Sequence, residues 1–450
     1  MISPARVAAY HALRDASSGR IDLPTALASV RDGLSDDRDR ALAIEIATGV
    51  ERWRAALDHV IGRAAKGGLP RIDPEILHIL RLSAYQLLYL TRVPAAAIVD
   101  DAVDLARMVR KSSASGFVNA VLRTLSRQRG VSVLPPRPTD PFDRDRTLEY
   151  LTVTLSHPQW LAERWLDRFG FEVAERWMQF DNAPGRMTIR VNRFVTSPAA
   201  LVKQLATHGI GVVPARYAPD ALTVVEGNPL RGGADLAGTF IVQDEASQLI
   251  ALLAGPHPGR RVLDACAAPG GKATAIASTD TSTLLVACDS RRRRIELLAR
   301  TTRAARATNI RIVQADVLSS LPFANRFDCV LLDAPCSGLG TLRRDPDIRW
   351  RRQEADIKSF ADAQVRMLRN VASAVTPGGR LVYATCSSEP EENEQVVETF
   401  LSGGEGYVLV DARQAHPALP AEVVDHRGHL RSSPDRHGLE AFFGAVFRRL

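Results

Sequence analysis

From Gly259 onward the chain alternates short apolar runs with amphipathic stretches. The runs are Arg261–Ala265, Leu284–Cys288, Ile310–Val313, Cys329–Leu332 and Leu381–Ala384, separated by patterns such as Ile295–Leu298. Strands apolar along their whole length are buried on both faces, and strand–helix alternation predicts a parallel, doubly wound sheet. Such sheets bind ligands at the carboxyl ends of their strands, so chemistry is expected just after each run. At 450 residues the chain is about three times an ordinary domain of roughly 150, so other domains must precede this one. Pro4 to about Gln128 shows helical spacing, as in Ile76, Leu77, Leu80, Ala84, Leu87 and Leu88, and reads as all-helical. Within Val133–Pro141, four prolines (Pro135, Pro136, Pro138, Pro141) exclude helix and interior strand and predict a linker. Helical stretches around Leu161–Phe180, a strand at Met187–Val191, a helix near Pro198–His208 and short strands near Leu222 and Phe240 then make a small α+β module. The predicted division is 1–132, 142–240 and 241–450.

The first strand ends in Asp264-Ala-Cys-Ala-Ala-Pro-Gly-Gly-Lys272, a glycine turn before a helix. It is neither a Walker A loop nor G-x-G-x-x-G, since Cys266 stands where the first loop glycine would and Ala273 follows Lys272. Asp289, Asp316 and Asp333 end the next three strands. One acid at a strand end is usually a helix cap. Four in successive units describe a site for a nucleoside with a neutral or cationic tail, and argue against a phosphate; Asp289, 18 residues past Gly271, suits a ribose diol.

Five cysteines occur, Cys266, Cys288, Cys329, Cys336 and Cys386, with no C-x-x-C pair, so neither a disulfide framework nor a metal site is expected. Cys288 and Cys329 lie inside apolar strands and read as core, and Cys266 as packing under the turn. Cys336 and Cys386 follow strands in polar loops, at the edge where the ligand should lie. Two thiols aimed at one cleft suggest nucleophilic chemistry. Thiolate addition to carbon 6 of cytosine makes carbon 5 an enamine carbon able to take a methyl group, and a carboxyl of raised pKa at ring N3, where Asp333 stands, would stabilise the adduct.

These segments resemble the RNA (cytosine-5)-methyltransferases of the Sun/RsmB and Nol1/Nop2 type. The likeness rests on Val262-Leu-Asp-Ala-Cys-Ala-Ala-Pro-Gly-Gly-Lys272, Leu332-Asp-Ala-Pro-Cys-Ser-Gly338 and Tyr383-Ala-Thr-Cys-Ser387 followed by Pro390-Glu-Glu-Asn393. The resemblance implies a class I Rossmann-like domain with a mostly parallel seven-stranded sheet and S-adenosylmethionine as cofactor. It implies Cys386 as nucleophile, Cys336 assisting breakdown of the adduct, Asp333 on the cytosine ring and Lys272 in the active site. Cys266, Ala267, Ala268, Pro269, Gly270, Gly271 and Lys272 would cradle the methionine part, with Asp289 on the ribose, Asp316 near the adenine, and Arg294 and Asp333 also lining the cofactor. Ser156-His-Pro-Gln-Trp160, Arg190-Val-Asn192 and Val242-Gln-Asp-Glu-Ala-Ser247 resemble the family's small RNA-recognition module. Arg40-Ala-Leu-Ala-Ile-Glu45 and Phe117-Val-Asn-Ala-Val-Leu-Arg123 resemble a NusB-like helical domain, which implies 16S ribosomal RNA, in the small-subunit head region, as substrate. A departure is His437-Gly-Leu-Glu-Ala-Phe-Phe-Gly444, where Gly-Asp-Gly-Phe-Phe is common; it should form the last, antiparallel strand.

The balance of 58 basic against 51 acidic residues, +7, suits a polyanionic partner and also many ordinary proteins. Only five of the basic residues are lysines, Lys66, Lys111, Lys203, Lys272 and Lys358, so Lys272 beside a glycine turn stands out. Arg107, Arg110, Lys111, Arg123, Arg127 and Arg129 crowd the end of the helical domain, as a solvated face or an RNA surface. Arg343, Arg344, Arg349, Arg351 and Arg352 around Trp350 are expected to grip RNA and stack a base. The target cytosine must be single-stranded or flipped out. No run of about 18 uncharged apolar residues is present, so no membrane association is expected. Arg6 and Arg14 interrupt Met1–Asp15, which is therefore no signal peptide, and a cytoplasmic protein, monomeric and without an obligate protein partner, is expected. Two alternatives stay open at this level: an RNA-binding assembly factor with a vestigial methyltransferase fold, and the same chemistry on transfer RNA.

Overall fold

The computed structural model describes residues 2–65, 67–128, 133–255, 259–323, 326–404 and 406–450. Met1, Lys66, Arg129 and the predicted domain end at 132 lie outside the described residues. The chain forms two compact units, one comprising Met1–Ala183 with Leu342–Gln353, the other Pro184–Thr341 with Glu354–Leu450.

The first unit is helical, as its spacing predicts. Helices from Pro4–Ser17 to Ser115–Arg127 close over a core that includes Tyr10, Leu13, Ile46, Leu57, Ile79, Leu80 and Leu122. Asp22, Asp36 and Asp73 each cap a helix by accepting a backbone N–H, which sharpens the starts of these helices. The proline-rich stretch carries no helix or strand, but it is tied down: Arg137 pairs with Glu172 and Glu175 and lies over Phe171, and Thr154 donates to the Pro135 carbonyl. Gln159–Phe169 and Phe171–Asn182 are two helices, parted at Gly170, whose positive φ only glycine adopts without strain.

The second unit holds two sheets. Strands β1 (Thr188–Val191), β2 (Gly211–Pro214), β3 (Ala221–Glu226) and β4 (Phe240–Val242) make a small antiparallel sheet in the order β2-β3-β1-β4, covered by the helix Pro198–Thr207. β2 was not expected; its exposed edge position leaves no apolar alternation to read. The large sheet contains β5 (Arg261–Asp264), β6 (Leu284–Asp289), β7 (Ile310–Gln314), β8 (Phe327–Asp333), β9 (Val375–Thr385), β10 (Tyr407–Val410), β11 (Leu430–Arg431) and β12 (Phe443–Arg449). Seven of them run in the order β10-β12-β9-β8-β5-β6-β7, and the short β11 pairs with β12. The five strands read from sequence pair in parallel, while β12 pairs antiparallel with β9 and β10. The last strand begins at Phe443, later than expected, because Pro434–His437 is a helical turn. Alternate residues of each strand enter opposite cores: Val262, Leu331 and Val382 one, Leu263, Val330, Leu332 and Leu381 the other. That two-sided burial is the origin of the apolar runs. Order β9-β8-β5-β6 aligns the carboxyl ends carrying Cys386, Cys336 with Asp333, Lys272 and Asp289 along one edge.

Candidate active site

The two thiols converge. The loop after β8 begins with the Ala334 N–H donating to the Ala384 carbonyl, and Gly340 N–H donates to the Cys386 carbonyl at 3.0 Å. A side chain at Gly340 would meet the Cys386 carbonyl at 2.9 Å and the Ala441 carbonyl at 2.0 Å, so only glycine lets the loop after β8 lie against the end of β9 and the approach to β12. Cys336 Sγ and Cys386 Sγ then stand 3.2 Å apart, 50 residues apart in sequence, as a hydrogen-bonded pair of free cysteines. That hydrogen bond, with burial, pushes the Cys336 thiol well above its ordinary value.

Glu392, fully buried, organises both loops. It accepts from the Ser337 N–H (2.8 Å), the Ser337 and Ser387 hydroxyls (each 2.5 Å) and Gln364 (3.0 Å). Burial pushes its carboxyl upward and the hydrogen bonds oppose this. Asn393 ties the strand end to the loop, accepting from Thr385 at 2.6 Å and donating to the Ser387 carbonyl at 2.9 Å. Sequence reading noticed these two residues only as a motif; a carboxylate and an amide a few residues past a catalytic-looking Thr-Cys-Ser were the available signal.

Lys272 Nζ meets Asp333 Oδ2 at 2.6 Å and lies 5.4 Å over the Phe442 ring. Here the structure corrects an expectation. Asp333 sits in no dry pocket: it is about a quarter exposed and is the carboxylate of an ion pair. Burial pushes the Asp264 carboxyl up to about 7, with the Asp333 charge raising it further and Lys272 lowering it. The Cys266 amide faces Asp264, yet neither carboxylate oxygen makes a hydrogen bond of ordinary geometry to a described residue.

In the turn, Gly270 has φ +109°, and a side chain there would meet Leu298 at 2.9 Å. Asp289, 5% exposed, pairs with Arg294 (3.2 Å), whose Nη2 donates to the Ala268 carbonyl at 2.7 Å, so one arginine joins the turn to the second strand end. Arg190 of β1 supports the turn from below: it donates to the Gly271 carbonyl, to Thr274 Oγ1 (2.8 Å) and to Gln243 Oε1 (2.6 Å). Burial pulls this guanidinium down to about 10. Its role was not legible, because its partners lie 53 to 84 residues away. Asp316 is exposed, and its Oδ1 accepts the Leu318 N–H at 3.0 Å, closing an Asx turn rather than capping a helix. Cys266 packs against the sheet core, its thiol pushed up by burial, and Cys288 and Cys329 are fully buried as expected.

An orphaned buried carboxyl at Asp264 suits a cationic amine, Gly270 leaves room at the turn, and Asp289 offers oxygens suited to a diol. The acidic set suits the adenosyl and amino acid parts of S-adenosylmethionine and would repel a phosphate.

The arginine-rich loop is a second correction. Leu342–Gln353 belongs to the first unit. Arg349 is fully buried, its Nη1 donating to the Ser156 carbonyl (3.0 Å) and Asn182 Oδ1 (2.9 Å). Trp350 Nε1 donates to the Glu51 carbonyl at 2.6 Å, with Arg54 over its ring. Both serve packing, because a buried planar donor set satisfies carbonyls that water cannot reach; of this cluster only Arg344 and Arg351 are exposed.

Comparison with known proteins gives three family matches: the 16S rRNA methyltransferase RsmB/F family at residues 251–448, the NusB family at 3–127, and the RsmF/B-like ferredoxin-like domain at 157–231. The chain is 35% identical to the ribosomal RNA small subunit methyltransferase B of Pseudomonas putida, covering 88% of each. Among solved structures it is similar to PH0851, with TM-score 0.82 and 24% identity over 100% of this chain and 99% of that one. It is also similar to a methyltransferase homologue from Pyrococcus horikoshii, with TM-score 0.56 and 28% identity over 68% of this chain and 99% of that one.

Proposed function

This chain belongs to the 16S rRNA methyltransferase RsmB/F family, an S-adenosylmethionine-dependent enzyme family, and from that premise we propose that it methylates carbon 5 of a cytosine through a covalent adduct between Cys386 and carbon 6. The observation that carries the reading is the pair of sulfurs 3.2 Å apart beside the Lys272–Asp333 ion pair. The likeness of Tyr383-Ala-Thr-Cys-Ser387 to the family's motif supports Cys386 as the sulfur that attacks. After the Cys386 thiol loses its proton to solvent, its thiolate adds to C6, the C5–C6 π pair shifts to C4–C5 and the C4–N3 π pair shifts to N3, which takes a proton from the Lys272–Asp333 pair. Bound S-adenosylmethionine supplies the methyl group to carbon 5. Loss of the C5 proton then expels the Cys386 thiolate, the stage we assign to Cys336. Asp264, the turn from Cys266 to Lys272, Asp289 and Arg294 would hold the cofactor, with Asp316 beside the adenine.

We further propose the domain division 1–132, 142–240 and 241–450, a flipped-out or single-stranded target cytosine, a monomer, and a cytoplasmic location. Among the described residues no helix is long and apolar enough to cross a membrane. Cys386→Ala should abolish methyl transfer to deproteinised small-subunit RNA while cofactor binding in calorimetry persists; full activity would sink the assignment. Cys336→Ala should trap an RNA–protein adduct that survives a denaturing gel, and its absence would reverse the roles. Bisulfite sequencing of RNA from a deletion strain names the nucleotide and separates 16S from transfer RNA.

A further inference from the structure

The positive charge of this chain is concentrated. Between Arg291 and Arg311 stand eight arginines and one acid, Glu296, a surplus equal to the +7 of the whole chain, so the rest is balanced. Most of this segment is the helix Arg292–Ala304, which packs by Leu298 and Thr302. At about 100° per residue, Arg292, Arg293, Arg300 and Arg303 fall within about 100° of arc on the side opposite that buried stripe, over about 16 Å of helix. All four are exposed. Arg292 pairs with Glu296, while Arg293, Arg300 and Arg303 make no ion pair with a described residue.

Solvation alone does not account for the pattern. Cations in the first turn oppose the helix dipole, each by about 0.3–1 kcal/mol, where acids would be stabilising and equally soluble. The placement suits a polyanion. Arg291 follows Asp289 at the end of β6, so the stripe starts at the sheet edge that carries Cys336 and Cys386. β6 is two strand spacings from β8, about 10 Å.

We propose that Arg292, Arg293, Arg300 and Arg303 form a phosphate-binding track that holds the backbone of the RNA flanking the target base; the proposal rests on the RNA methyltransferase reading above. Base readout plays no part in it, since guanidinium contacts to phosphate position a backbone without reading sequence.

The test compares wild type with the quadruple Arg292→Gln, Arg293→Gln, Arg300→Gln, Arg303→Gln variant, using transcribed 16S ribosomal RNA across a salt titration. The variant should bind at least tenfold more weakly at about 0.15 M salt, with the slope of log K against log salt reduced by about two to four. Calorimetric cofactor affinity should be unchanged, and the corresponding quadruple lysine variant should keep the wild-type slope. Equal affinity and slope for the glutamine variant would overturn the track. So would loss of binding to phosphatidylserine vesicles with RNA binding intact, which would make the stripe a lipid surface. Failure of the wild type to methylate the RNA would instead overturn the enzymatic reading, whatever the binding data.

Discussion

At the scale of single residues the site works through groups whose neighbours are distant in sequence. Lys272→Met leaves Asp333 without its ammonium partner, and methyl transfer should fall by roughly 10²-fold or more in single-turnover assays at saturating cofactor. Asp264 yields a pH prediction. The unfolded chain releases this proton near pH 4 and the folded protein near 7, so between those values the folded state binds the extra proton, and cofactor-free stability contributed by this group is lost as pH rises. In Asp264→Asn the melting temperature relative to wild type should therefore climb from about pH 4 to about pH 7 and then level off. A difference independent of pH would show that Asp264 is ionised throughout. Which acids line the edge was legible, because strand-end position is local. Which acid is desolvated was not, because exposure depends on what the fold lays over it.

At the scale of elements, the five apolar runs and the glycine turn are written into local pattern, and the structure follows those runs within two residues, apart from β9, which extends back to Val375. The arginine loop is the instructive failure. Arg349, Arg351 and Trp350 look alike in sequence as an exposed basic, aromatic cluster, yet one arginine is a buried strut. Arg349→Ala should destabilise the first unit by about 3 kcal/mol in chemical denaturation, since it strands buried acceptors, whereas Arg351→Gln should stay within about 0.5 kcal/mol. Equal effects would return Arg349 to the surface. Charge pattern cannot separate the two, because the acceptors of Arg349, Ser156 and Asn182, belong to segments 193 and 167 residues away.

At the scale of the whole molecule, the groups we propose as catalytic all lie in the second compact unit. Cofactor at about a hundredfold its Kd should add about 2.7 kcal/mol to the stability of that unit, with hydrogen-exchange protection rising at β5, β6 and the turn between β5 and its helix. No rise there would place the cofactor elsewhere. The sequence by itself determined the parallel sheet and the residue types at the carboxyl ends of its strands, because periodicity, apolar runs and glycine turns act over a few residues. Tertiary structure alone decided that Cys336 faces Cys386, that Lys272 meets Asp333, that Glu392 and Arg190 brace the loops, and that Trp350 is packing. These are consequences of strand order β9-β8-β5 and of burial, which bring together groups tens to hundreds of residues apart and set which of them water can reach.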